Sequence, residues 1–194
     1  MFRPETWRAT ARLTTVIAAL VGALVVVATA QAWSGSGGIG DDAPPPTEPT
    51  DPSTPSAGAF PVIGKHSYGD GFGAGRDHPG QDLIAKCGKP VVSAQAGRVQ
   101  KAGYHSAAGN YVVVDGEGAR KDLVYAHLQR RSALRKRERV AAGEAIGRVG
   151  DTGNASTCHL HFEIWSNPGY YEGGDAINPT PALKAWDKAK RTSR

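Results

Sequence analysis

The run His159-Leu160-His161-Phe162-Glu163-Ile164-Trp165 alternates apolar side chains with mostly polar ones. A period of two fits a β-strand and no helix. It predicts a half-buried strand. Leu160, Phe162 and Ile164 should face a core, and His159, His161, Glu163 and Trp165 should share the other face. A second polar cluster, His78-Pro79-Gly80-Gln81-Asp82, lies far upstream. His127 ends a third stretch, Leu123-Val124-Tyr125-Ala126, which also has strand texture. Four imidazoles and one carboxylate are enough to build a metal site and arm it.

The rest of the chain limits where such a site can sit. Arg3, Arg8 and Arg12 precede an uncharged, mostly apolar run from Leu13 to Ala30, and Ala30-Gln31-Ala32 offers a small-x-small cleavage site. Residues 1–32 therefore read as a signal peptide or an uncleaved membrane anchor, and either would place the remainder outside the cytoplasm. Residues 33–59 are rich in Pro, Gly and Ser, carry four acids and no base, and read as a disordered tether. Residues 60–194 are left as one domain, with a net charge of +7. That charge favours anionic partners, and the export segment argues against nucleic acid.

The domain reads as mostly β. Short apolar runs separated by Gly-containing turns predict strands over Pro90–Ala94, Arg98–Ala102, Tyr111–Val114, Leu123–Ala126, Ala145–Val149 and Leu160–Trp165. Pro181–Lys190 reads as a short amphipathic helix. Residues 90–99 and 140–149 echo each other loosely, which suggests a pseudo-symmetric sandwich or barrel. Cys87 and Cys158 are the only cysteines; in an exported chain the pair reads as a disulfide rather than as two buried thiols. Arg130, Arg131, Arg135, Lys136, Arg137 and Arg139 read as a solvated loop, with contact to an anionic polymer as the alternative.

A catalytic zinc site takes three protein ligands and leaves a position open. His78 and Asp82 can converge across the Pro-Gly bend, and His161 supplies a third ligand. Zinc held there would polarise a carbonyl and bring the pKa of a water toward about 7. His127 or His159 can serve as general base or stabilise an oxyanion. Glu163 shares the proposed metal face, but it reads as a solvated strand residue, with support of a ligand as the alternative. His66 and His105 lack such partners and read as structural or surface residues.

The segments Arg76-Asp77-His78-Pro79-Gly80-Gln81-Asp82, Tyr125-Ala126-His127-Leu128, Gly150-Asp151-Thr152-Gly153-Asn154 and His159-Leu160-His161-Phe162-Glu163 resemble, in order, the motifs of LytM/lysostaphin-type zinc metallopeptidases, peptidase family M23. The resemblance covers about residues 60–181. It implies an antiparallel β domain related to the duplicated hybrid barrel-sandwich motif. It also implies hydrolysis of peptide bonds in bacterial peptidoglycan, with His78, Asp82 and His161 as zinc ligands and His127 and His159 as catalytic histidines. Some relatives have lost ligands and act only as activators of other wall hydrolases. All five positions are kept here, so a non-catalytic wall-binding or amidase-activator module is the weaker expectation. Gln81 stands where an apolar residue is common, a change expected to touch the chemistry little.

Overall fold

A computed structural model describes residues 58–192, apart from 76 and 118–120. The N-terminal leader and all but the end of the tether lie outside the described residues. Among the described residues there are ten strands: β1 (Ser67–Tyr68), β2 (Gln81–Ile84), β3 (Pro90–Val92), β4 (Gly97–His105), β5 (Gly109–Gly116), β6 (Lys121–Leu128), β7 (Arg139–Val140), β8 (Ala145–Arg148), β9 (His159–Trp165) and β10 (Ala176–Ile177). One helix, α1 (Thr180–Thr192), follows them. Among the described residues no helix is long and apolar enough to cross a membrane.

The main sheet is antiparallel and runs β1-β2-β9-β6-β5-β4-β7, with β10 also paired to β9; β3 and β8 form a separate pair. All six predicted strands and the helix are present, with shifted ends. The mostly β, antiparallel expectation holds. The two echo segments pair with each other: Pro90 faces Arg148, and Gly97 faces Val140. Four short strands escaped the sequence reading. Among them β2 matters most, because its Gln-Asp-Leu-Ile has too few apolar residues to signal a strand.

The predicted half-burial of β9 is wrong, since all seven of its residues are buried. Leu160, Phe162 and Ile164 join the main core with Phe60, Val62, Leu83, Tyr125, Leu128 and Leu183. Each fully buried Leu or Phe there contributes roughly 1.5–3 kcal/mol. The opposite face carries a second cluster, Ala108, Tyr111, Val113, Val124, Ala126 and Trp165, with Tyr170 packed against it. Strand β9 lies inside the sheet between β2 and β6, and the two clusters pack on its opposite faces. Tyr125 is fully buried, and its hydroxyl is satisfied by the Ala94 N–H at 2.7 Å.

Cys87 and Cys158 form a disulfide with a Cα–Cα distance of 5.2 Å, as expected. It ties the end of the segment after β2 to the residue just before His159. Its ends are separated by 71 positions in sequence, for which the chain-entropy view gives about 4 kcal/mol of stabilisation.

Candidate metal and catalytic site

Strand register brings the candidate ligands together. Asp82 on β2 is the direct cross-strand partner of His161 on β9, and His161 is in turn the partner of Ala126 on β6. Asp82 Oδ1 lies 2.9 Å from His161 Nδ1, 3.2 Å from His78 Nε2 and 3.7 Å from His159 Nε2. One ligand atom from each of His78, Asp82 and His161 can be chosen so that all lie within 4.8 Å of one another. Ligands at roughly 2.0–2.2 Å from a common ion require such spacing, so the two nitrogens and one carboxylate oxygen fit zinc.

His78 reaches this point from the loop before β2, and Gly80 makes the approach possible. A Cβ on Gly80 would stand 2.4 Å from the Phe162 carbonyl oxygen and 2.9 Å from His161 Cε1. The backbone at Asp77 is left-handed, with φ 53°. Gln81, expected to matter little, is buried and holds the facing loop. Its Nε2 donates to the carbonyls of Gly69 and Asp70, at 3.1 and 3.0 Å, and its Oε1 accepts from the Thr180 hydroxyl. Two residues along that loop, the Gly71 carbonyl accepts from His78 Nδ1 at 2.9 Å.

His127 is delivered by a β-bulge. Asn110 pairs with Leu128 and Val112 with Tyr125, so Ala126 and His127 together face Tyr111 alone. His127 is left-handed, with φ 58°. Strict alternation would turn His127 toward the main core and Leu128 away from it. The bulge reverses this: Leu128 enters the core, while the His127 ring stands 4.7 Å from that of His159 and 5.9 Å from that of His161. A non-glycine residue held left-handed costs of order 1 kcal/mol, and here it aims a side chain.

Each imidazole is anchored by one nitrogen. His127 Nδ1 donates to the Thr152 carbonyl and His159 Nδ1 to the Thr157 carbonyl, both at 2.8 Å. A carbonyl only accepts, so these contacts fix the Nδ1–H tautomer and leave Nε2 with its lone pair. The Thr152 hydroxyl donates to the Leu128 carbonyl and accepts from the Asn110 N–H, which locks its loop to the bulge. His161 differs: its Nε2 donates to Glu163 Oε1 at 2.8 Å. Glu163 is 3% exposed and not solvated. It also accepts from Trp165 Nε1, whose ring packs edge to face on Tyr170. The alternation placed Glu163 on the correct face, but nothing in the sequence showed that this face is covered.

The electrostatics follow from these contacts. The hydrogen bond to Asp82 raises His78 despite burial. Burial would lift Asp82, but the bonds from His161 and His78 hold it well below the usual carboxylate range. Burial would depress His161, yet Asp82 and Glu163 together raise it to about 9. His127 has no such carboxylate, and burial lowers it to about 4. His66 stacks on Phe60 at 4.2 Å and His105 is exposed, both away from this cluster as expected. The six cations of 130–139 are also exposed.

Residues 76–179, more than half of the sequence, match peptidase family M23. The chain belongs to that family. The M23 chain is 36% identical over 115 residues to peptidoglycan DD-endopeptidase ShyC of Vibrio cholerae, covering 59% of this chain and 26% of that protein. The first curated relatives are all longer, and the alignments span 20–35% of their length. Among solved structures, the catalytic domain of the antimicrobial peptidase lysostaphin from Staphylococcus simulans superposes with a TM-score of 0.56 at 28% identity, covering 61% of this chain and 92% of that one. A zinc-containing peptidase from Vibrio cholerae superposes with a TM-score of 0.52 at 30% identity, covering 57% and 36%.

Proposed function

We propose that the chain is an exported, zinc-dependent endopeptidase that hydrolyses peptide bonds in bacterial peptidoglycan. The observation that carries this reading is the convergence of His78, Asp82 and His161 donor atoms within 4.8 Å, with the rings of His127 and His159 alongside. In this reading His78, Asp82 and His161 hold the ion. Zinc bound there supplies Lewis acidity, polarising a carbonyl and acidifying a water. His127 and His159 handle the protons and the charge of the tetrahedral intermediate, each through the Nε2 that its anchored tautomer leaves free. His127 stays neutral near neutral pH, as a proton acceptor must. The name of ShyC supports peptidoglycan as substrate, and the basic, apolar leader supports export, with residues 1–32 as signal or anchor, 33–59 as tether and 60–194 as the peptidase domain. The pairing of the two echo segments supports a duplicated barrel-sandwich origin.

The test combines metal analysis with lysis of purified sacculi. Zinc should copurify in a one-to-one ratio, and a chelator should stop the release of peptide fragments. His161→Ala should lose metal and lysis together. His159→Ala should keep zinc and lose roughly a hundredfold or more in turnover. Lysis that survives complete chelation, or equal rates for wild type and His159→Ala, would overturn the reading.

A further inference from the structure

The sheet face that bears His161 continues past the metal cluster. Ala126 pairs with His161, Tyr111 lies across the bulge from Ala126, and Gly103 on β4 pairs with Tyr111. A parallel row runs Glu163, Val124, Val113, Lys101. At the far end of these rows a cation and two hydroxyls meet. The Tyr111 and Tyr171 hydroxyls are 3.1 Å apart, and Lys101 Nζ lies 5.7 Å from the Tyr171 ring centre. Gly103 keeps the space between them open, since a Cβ there would stand 3.4 Å from Tyr111 Oη and 3.5 Å from Lys101 Cε.

This corner is held firmly. Tyr171 belongs to the loop between β9 and β10. The loop is closed by Ser166 N–H to the Asp175 carbonyl and by Gly174 N–H to the Gly169 carbonyl, and pinned by Tyr170 N–H to buried Asp122 Oδ2 at 2.7 Å. Trp165, Tyr170 and Tyr171 stack edge to face behind it. One hydroxyl proton is used between the two tyrosines, so the second remains to be donated. Lys101 and Tyr171 are exposed, and Lys101 has no acidic partner among the described residues.

We propose that Lys101 and the Tyr111–Tyr171 hydroxyl pair form a subsite for a carboxylate of the peptide substrate. An ammonium with a neighbouring O–H donor is carboxylate-binding chemistry. His161 and Tyr111 are separated by two strand spacings, about 10 Å. An extended peptide spans that distance in about three residues, so the carboxylate lies about three residues from the reacting carbonyl. The site thus selects carboxylate-bearing stem peptides over uncharged bridges. This inference rests on the peptidase reading above.

The experiment uses the zinc-loaded full chain and two synthetic cross-linked peptides, identical except for a carboxylate or a carboxamide three residues from the scissile bond. Wild type should favour the carboxylate by about tenfold in kcat/KM, the scale of one charge-assisted hydrogen bond, and the difference should lie in KM. Lys101→Gln should collapse the ratio to about one, and Lys101→Arg should restore much of it. Lys136→Gln removes the same charge from the loop after β6 and should keep the tenfold ratio. Equal wild-type rates on both peptides overturn the proposal, as does a ratio that survives Lys101→Gln or falls equally in Lys136→Gln. Cleavage of neither peptide by zinc-loaded wild type fails the peptidase reading itself and is distinguishable from those results.

Discussion

Gly80→Ala tests whether strand register assembles the site. The new methyl would stand 2.4 Å from the Phe162 carbonyl oxygen, about 0.6 Å inside the 3.0 Å limit that real Cβ contacts essentially never cross. It would also press on His161 Cε1 at 2.9 Å and Glu163 Cγ at 3.0 Å. The carbonyl cannot yield alone, because β9 is held by β2 on one side and β6 on the other. The relief available is to move β2 away from β9, at a cost of about 1–3 kcal/mol for overpacking. Asp82 and His161 face each other across that same seam. A shift of about half an ångström exceeds the roughly 0.2 Å tolerance of metal–ligand distances. Gly80→Ala should therefore lower the unfolding midpoint and weaken zinc binding about tenfold or more. Competition with a chromophoric chelator and thermal denaturation of the metal-free protein measure the two effects. Gly71→Ala, where the nearest atom to the new Cβ is Gln81 Oε1 at 3.5 Å, should change stability by only a few tenths of a kcal/mol. Wild-type stability and zinc affinity in Gly80→Ala would refute the argument.

Two further outcomes follow from the anchoring of the imidazoles. Glu163→Gln leaves one amide oxygen facing two donors, His161 Nε2–H and Trp165 Nε1–H. Zinc affinity should fall about 10–100-fold, read by chelator competition, and one donor left unpaired should cost about 1–3 kcal/mol of stability. His127 has a folded pKa of about 4 against an ordinary 6.5, so the folded state binds fewer protons than the unfolded chain between those values. Its contribution is present above pH 6.5 and lost as pH falls through about 4. The stability of metal-free wild type should fall more steeply from pH 7 to 4.5 than that of His127→Asn, which keeps a residue tolerant of the left-handed backbone. Equal slopes would contradict the depressed pKa.

What the sequence displayed and what it hid have separate causes. Strand β9 announced itself through its period of two, and β5 through consecutive valines, because those patterns reflect local side-chain direction. Strand β2 exists because Asp82 and Leu83 pair with His161 and Leu160, a contact across nearly eighty residues that leaves no local trace. The reach of His127 was invisible for a similar reason. A bulge is a count of residues against a partner strand, and the partner was unknown. The anchors were hidden more deeply still. Thr152, Thr157 and Gly71 hold histidines through backbone carbonyls, which every residue possesses, so side-chain identity gives no signal. Glu163 was visible as a residue and misjudged as solvated, because burial of its face depends on packing from outside the strand, such as the approach of Gly80.

That buried carboxylate also bears on the charge balance of the proposed metal site. His78, His127 and His159 are anchored by carbonyls, which orient a ring without adding charge. His161 is anchored by Glu163, which adds a full negative charge at 3% exposure. With Asp82 the pocket holds two negative charges. Both carboxylates face imidazole nitrogens, Asp82 those of His78 and His161 and Glu163 that of His161, and both imidazoles have raised pKa values beside them. A zinc ion on the proposed ligands would bring two positive charges to meet the two carboxylates. The loaded site would then be close to neutral, which is what a low-dielectric site requires. If the His161 anchor were another carbonyl, the loaded site would carry an uncompensated positive charge and would favour release of the metal. On the proposed ligand set the carboxylate at Glu163 would therefore act as the counter-charge as well as the support, a role that Gln at the same position could not fill even where its shape fits.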